Sequence, residues 1–425
     1  MSTSASEPVT PLVEHFFRHE SGRLVSVLTG IFGWKNFDLV EEMVQSTLVD
    51  ALQSWRIRGI PENPSGWIHR VAKNKVLDAL RRKEIASRAG HEWVARRNPS
   101  EEQIDDLFLD SQIEDSQLRM IFACCHPQLA RENQLALTLK ALGGFGISEI
   151  ARALLLAEET VKKRLQRATR DLVDNDVSLD VPPLSELTER LQVVHQVLYL
   201  IFNEGYSATG GKSAIRVDLC EEAARLCHLL CSHPHCSTPS TNALMALMLF
   251  HAARLDARLD ASGSVLLLVE QDRNRWDQTL IGRAKNYLDR SAQGTAVSPY
   301  HLEAGIALHH CSAQTYADTN WPEILRLYDA LLTMHRSPIY LLNRAIVIAQ
   351  IDGPLAGIQA ITEANFSSAL THYHLLDVTL GELYLGAQKF ELARQHLELA
   401  KQKTDSKFDL ELINRRLAKC QPSTS

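Results

Sequence analysis

Two helical segments carry side chains of the types that hold nucleic acid. In the first, residues 67–82 (WIHRVAKNKVLDALRR), Ile68, Val71, Ala72, Val76, Ala79 and Leu80 recur as an apolar stripe at helical spacing. Trp67, Arg70, Asn74, Asp78 and Arg81 gather on the opposite side, and Lys73 and Arg82 add positive charge. Arginine and lysine hold phosphates, asparagine bonds base edges, and an exposed tryptophan offers a plane for stacking an unpaired base. The same pattern also fits a solvated amphipathic helix with one half-buried tryptophan. In the second segment, residues 147–170, Ile147, Ile150, Ala151 and Leu154 form the inner face of one helix. Val161, Leu165, Ala168 and Leu172 form that of the next, with Leu155, Leu156 and Ala157 as the turn between them. This spacing matches a helix-turn-helix, whose second helix enters the major groove. Thr160, Lys162, Lys163, Arg164 and Arg167 would then face DNA; the bland alternative is a helical hairpin with a basic exterior.

Other candidate chemistry is weaker. Residues 205–213 (GYSATGGKS) resemble a phosphate-binding loop, but the position where that motif requires glycine holds Tyr206, and the context is helical. Cys227, His228, Cys231, His233, His235 and Cys236 include zinc-ligand types. Their spacing is not diagnostic, and Cys227 and Cys231, one helical turn apart, also read as small buried hydrophobes. Cys124, Cys125 and His126 read the same way. No spacing suggests a Ser-His-Asp or paired-carboxylate site, so the chain is not expected to be an enzyme, and no metal or cofactor is expected. Asn203, Glu204, Gly205 and Tyr206, with Arg216 and Asp218, form a polar patch between apolar helices that would rigidify as a buried hydrogen-bond network.

The elements that must position these residues are helical throughout, with no expected sheet. The chain has 425 residues, which suggests several cores, and its 45% hydrophobic and 23% charged content is ordinary for a globular protein. Its net charge of -6 excludes a general nucleic-acid coat, so basic residues must act locally and a partner is expected for tight DNA binding. The N-terminal stretch lacks a secretory pattern, the charge-free run 226–253 is interrupted by Ser232, His233, Pro234, His235 and Pro239, and the 8 cysteines are irregularly spaced. These features predict a cytoplasmic protein with reduced thiols and no membrane span.

Pro61 and Pro64 break a first helical domain, 10–83. Residues 84–115 lose periodicity and collect Glu101, Glu102, Asp105, Asp106, Asp110, Glu114 and Asp115, as in an acidic linker. A second helical domain spans 116–175, and Pro182-Pro183 marks a hinge before a large third region, 184–420. There, residues 299–316 with 322–334, 338–350 with 355–364, and 371–385 with 390–401 read as helix pairs. Their first helices begin about 33 to 39 residues apart, close to the roughly 34-residue period of tetratricopeptide repeats. Such arrays present a concave surface to a protein or ligand partner.

Residues 38–45 (DLVEEMVQ), followed by WIHRVAKNKVLDALRR and the helix-turn-helix, resemble an extracytoplasmic function (ECF) sigma factor. Residues 121–129 (IFACCHPQL) and the long extension are similar to the subgroup with a C-terminal tetratricopeptide-like domain. The resemblance implies an all-α protein that binds core RNA polymerase and promoter DNA. It implies that Asp38, Glu41, Glu42 and Gln45 dock on the β′ clamp helices, and that residues 67–82 capture the melted minus-ten element through Trp67, Arg70, Lys73, Asn74, Arg81 and Arg82. It further implies that the second domain binds the β flap and reads the minus-thirty-five duplex, that the linker threads the RNA channel, and that the extension regulates. A one-component helix-turn-helix regulator with a ligand- or peptide-binding repeat domain is the alternative, but it leaves residues 67–82 unexplained.

Overall fold

The computed structural model describes residues 9–87, 110–154, 156–206, 215–260, 263–364 and 373–420. Helix dominates, as the 3.6-residue periodicity requires, and among the described residues the only extended pairing is an isolated bridge between Leu259 and Val265. The chain divides into two compact units, one up to Leu200 and one from Ile201. Linker acids Glu101, Glu102, Asp105 and Asp106 lie outside the described residues, as do residues 207–213 of the glycine-rich run and Leu155 of the turn.

The first unit contains α1 (Val9–Phe32), α2 (Phe37–Arg58), α3 (Pro64–Ser87), α4 (Asp110–Cys124), α5 (Arg131–Ala141), α6 (Ile147–Ala153) and α7 (Glu158–Asp174); α8 (Leu184–Tyr206) runs across the boundary between the units. The central element is α1. Its Leu24, Val25, Val27 and Leu28 are fully buried, and the helix packs on α2, α3, α4 and α5. The two domains that the sequence separates at the acidic stretch therefore share one core. Sequence patterning could not show this, because an apolar stripe does not name the surface that covers it.

Two glycines permit the contact. A Cβ on Gly22 of α1 would stand 1.8 Å from the Leu142 carbonyl oxygen just past α5. Gly144 has φ +65°, and a Cβ there would stand 2.6 Å from the Arg18 carbonyl oxygen. Arg18 then lies over the Phe145 ring, 4.6 Å from its centroid, and its Nη2 donates to Glu149 Oε1 at 2.8 Å. A second ion pair joins Lys140 of α5 to Glu41 of α2.

Within the first domain, a buried carboxylate fixes α3 on α1. Glu20 accepts hydrogen bonds from His69 Nε2 at 2.8 Å, Arg23 Nη1 at 3.1 Å and Ser65 Oγ at 3.2 Å. Burial pushes the Glu20 pKa up, but the bonds and charges of His69 and Arg23 outweigh it and hold the value below the ordinary 4.5.

The second unit continues with α9 (Val217–Ser232), α10 (Pro239–Ala252), α11 (Gln278–Ser291), α12 (Pro299–Ser312), α13 (Trp321–Met334), α14 (Pro338–Asp352), α15 (Pro354–Glu363), α16 (His374–Gly386), α17 (Phe390–Gln402) and α18 (Lys407–Ala418). Five of these helices carry proline in their first turn, where its missing N–H has no intrahelical partner to lose. Every residue of α10 from Thr241 to Phe250 is buried, which accounts for the charge-free run as core; among the described residues no helix is long and apolar enough to cross a membrane. From α12 to α17 the helices form three successive hairpins, matching the predicted pairs, and α18 packs on the last. Small residues sit at the crossings: a Cβ on Gly381 would stand 2.7 Å from Leu397 Cγ, and one on Gly357 would stand 2.6 Å from Ala349 Cβ.

Gly22→Ala forces a Cβ into a backbone carbonyl, and we expect it to lower unfolding stability by about 1–3 kcal/mol in urea titration; an unchanged midpoint would contradict the close approach. Because the folded Glu20 pKa is lowered, its contribution to stability is complete above the unfolded value and is lost as pH falls through the folded one. The Glu20→Gln difference in unfolding free energy should therefore shrink as pH drops below about 4.5; a difference that grows in acid would contradict this.

Candidate nucleic-acid and polymerase interfaces

Helix α3 turns its apolar stripe inward, with Ile68, Ala72 and Val76 fully buried. Arg70, Asn74, Arg81 and Arg82 are exposed on the far side, and Trp67 is half-buried with its ring edge-on to Trp55, centroids 5.8 Å apart. Of the residues named for this face, all but one lie wholly or partly at the surface. The exception is Lys73, which is 6% exposed and lies apart from the other residues predicted for that face. The physical reason is its register: it lies four residues after buried His69 and three before Val76, on the inner face. Lys75 is also withdrawn, its Nζ donating to Ser46 Oγ at 2.6 Å and pairing with Asp50 at 2.6 Å on α2.

The helix-turn-helix forms as expected. Ile150, Ala151, Val161, Leu165, Ala168 and Leu172 are buried between α6, α7 and their neighbours. Where α6 ends, the Leu156 N–H donates to the Ala151 carbonyl at 2.8 Å. Glu149 caps α6 by accepting from the Gly146 N–H at 2.7 Å, the same carboxylate that receives Arg18. On α7, Lys162, Lys163 and Arg167 are exposed, while Thr160 and Arg164 are half-buried. Glu159 stands 4.0 Å from Lys163, a distance at which a solvated pair contributes little.

The acidic helix α2 divides its predicted residues between two faces. Asp38, Glu42 and Gln45 are exposed and follow one another at four and three positions, a single stripe. The stripe continues into Val49 and Leu52, each 50% exposed. Sequence reasoning missed these two, although their spacing from Gln45 was a usable signal. Glu41 lies on the neighbouring row, where it meets Lys140. It is half-buried and paired within the chain, which corrects its placement on one face with the other residues predicted for docking.

In the second unit the polar patch becomes a network. The Tyr206 hydroxyl accepts from Arg254, the Arg258 guanidinium lies 3.8 Å from the Tyr206 ring centroid, and Arg216 pairs bidentately with Asp218 at 2.9 and 3.1 Å. In the cysteine-histidine cluster, Cys227, His228 and Cys231 are engaged within the fold. The Cys227 and Cys231 thiols both point to the Thr241 carbonyl at 3.8 and 3.9 Å, and His228 Nδ1 bonds the Tyr287 hydroxyl at 2.9 Å. All eight cysteines are free and buried, and burial pushes the thiols of Cys220 and Cys236 up to about 12.

The geometry agrees with the comparisons. Residues 16–85 match the family Sigma-70 region 2, residues 119–172 match Sigma-70, region 4, and residues 190–292 match a family of unknown function, DUF6596. The chain is 34% identical over 330 residues to Uncharacterized protein R00370 of Rhizobium meliloti, covering 77% of this chain and 78% of that one. It is 28% identical over 133 residues to ECF RNA polymerase sigma factor SigL of Mycobacterium tuberculosis, covering 31% of this chain and 71% of the relative. No solved structure matches. With sigma-70 regions 2 and 4 in that order and an ECF sigma factor among the relatives of that part, the chain is an ECF-type RNA polymerase sigma factor.

Proposed function

We propose that α2 docks on the β′ clamp helices of core polymerase through Asp38, Glu42 and Gln45, with Val49 and Leu52 supplying apolar contact beside them. The observation that carries this reading is the separation of three exposed surfaces on one unit: this acidic-apolar stripe, the Arg70–Asn74–Arg81 face of α3, and the Lys162–Lys163–Arg167 face of α7. A polymerase subunit, single-stranded DNA and duplex DNA need different chemistries, and the three surfaces differ in that way. Exposed apolar residues flanked by carboxylates suit a protein partner with basic side chains. The α3 face offers guanidinium groups for phosphates and an amide for a base edge, with Trp67 at its end as a stacking plane. The α7 face presents cations to duplex phosphates and base edges in the major groove.

Docking places a condition on the free chain. Region 4 is held against region 2 by the Gly22–Leu142 approach and by the Lys140–Glu41 and Arg18–Glu149 ion pairs. Reading two promoter elements requires the two DNA-facing helices to reach separated sites, so we propose that core polymerase exchanges these internal contacts for its own. The C-terminal helices act as a regulatory extension, with a concave inner face for a partner.

Substitutions on the two outer surfaces should separate the two activities. Glu42→Lys, which places a like charge against a basic partner surface, should reduce co-purification with core polymerase at least tenfold. The double variant Lys163→Ala with Arg167→Ala should leave that association intact, weaken holoenzyme binding to minus-thirty-five duplex, and lower the salt slope of binding by about 2. Unchanged polymerase binding by the first variant, or equal loss of both activities by the second, would contradict the assignment.

A further inference from the structure

The inner face of the C-terminal hairpins is not filled by side chains. A cavity of about 560 Å³ opens between α12, α13, α14, α16, α18 and the segment Leu267 to Val269. That volume lies in the range of small-molecule sites, which run from about 300 to 1,000 Å³ and are mostly apolar with a few placed polar groups. Ile339, Leu342, Ile346, Val378 and Leu412 supply much of the apolar wall. Two features make it more than a general apolar cleft.

The first is an aromatic enclosure. Tyr316, Trp321, Tyr328 and Tyr373 all line the space. Tyr316 and His310 each meet the Trp321 ring edge-on, with centroids 5.0 and 5.4 Å apart, which holds the indole in place. Asn343 hydrogen bonds the Tyr328 hydroxyl. Aromatic faces carry negative quadrupole potential and attract cations that have shed their water.

The second is the polar endowment. Among the described lining residues, Glu382 is the one carboxylate, and none is a lysine or arginine. Glu382 lies 3.0 Å from Arg416 Nε, yet neither that nitrogen nor Glu382 Oε1 has a hydrogen-bond partner. The Arg416 guanidinium instead donates to Glu270 Oε1 at 2.6 Å, so one cation behind the cavity is shared between two carboxylates. Lys419 also acts on Glu382 but is itself exposed. Burial raises the Glu382 pKa, an effect that a cation in the cavity would reverse. His310 Nδ1 is likewise buried without a partner. An anion would meet the Glu382 carboxylate, the one formal charge that a lining residue contributes, whereas an ammonium would be drawn to it and to the aromatic faces.

We propose that this cavity binds an organic ammonium ion with an aromatic or aliphatic body, its cationic end held by Glu382 and the aromatic walls. The inference rests on reading the C-terminal helices as a regulatory extension only for its consequence, since occupancy would then couple to transcription. The site itself is tested by binding alone, so its failure is distinguishable from failure of that reading.

The probes are phenethylamine, its neutral isostere 2-phenylethanol and the anion 3-phenylpropionate, titrated into the full-length protein by calorimetry with saturation-transfer NMR. The wild type should bind the amine at least tenfold more tightly than the alcohol and should not bind the anion. Glu382→Gln should bring amine and alcohol to within twofold of each other, whereas loss of a merely structural carboxylate would weaken both alike. Ile346→Trp fills the cavity from α14 without touching the ion pair and should abolish binding of both, with the thermal midpoint unchanged or raised. Equal affinity of the wild type for amine and alcohol, tighter binding of the anion, no binding of any probe, or retained preference in Glu382→Gln would each overturn the proposal.

Discussion

The packing of α1 against the turn after α5 governs what the first unit can do. At Gly22 the helix comes so close to the Leu142 carbonyl that no side chain fits, and at Gly144 the returning chain does the same to Arg18. Protein interiors are packed to crystal-like density, so such contacts are either formed or absent, with little in between. The ion pairs around them, Lys140 with Glu41 and Arg18 with Glu149, orient α2 and α6 once the approach is made. Because Lys140 is almost fully buried, removing its partner leaves a desolvated cation, which is a larger penalty than the pair's net contribution. The contact is therefore specific in geometry.

This arrangement places functional groups by exclusion. Rows of α2 and α3 that meet the core are apolar or internally paired, and what remains outside is the surface available to partners. Glu41 and Glu42 are neighbours in sequence, yet one faces Lys140 and the other faces solvent. On α3, Lys73 and Asn74 divide in the same way. One residue rotates a side chain about 100° around a helix, so a run of charged residues cannot all serve one face.

Much of this was legible in the sequence. The helix pairs of the second unit were readable because proline and small residues mark helix starts and crossings, and the helix-turn-helix because its apolar positions are strictly spaced. The stripe Asp38, Glu42, Gln45 was half read: its apolar continuation, Val49 and Leu52, looks like core in a one-dimensional pattern, and only the fold reveals that no described residue covers it. The union of two domains in one core was not legible, since it depends on a backbone approach at Gly22 between residues about 120 positions apart. The cavity was hidden for the same reason. Ile339, Ile346 and Val378 read as ordinary interior residues, and the aromatic enclosure gathers side chains from separate hairpins.

The central claim is that one polypeptide supplies separate surfaces through which a polymerase finds and opens its start sites. Transcription by core polymerase on a library of genomic fragments, with and without the full-length protein, tests it most directly. The account predicts transcripts that begin at discrete positions only when the protein is present, sharing two upstream elements at fixed separation. The same start sites and yields with and without the protein would contradict it.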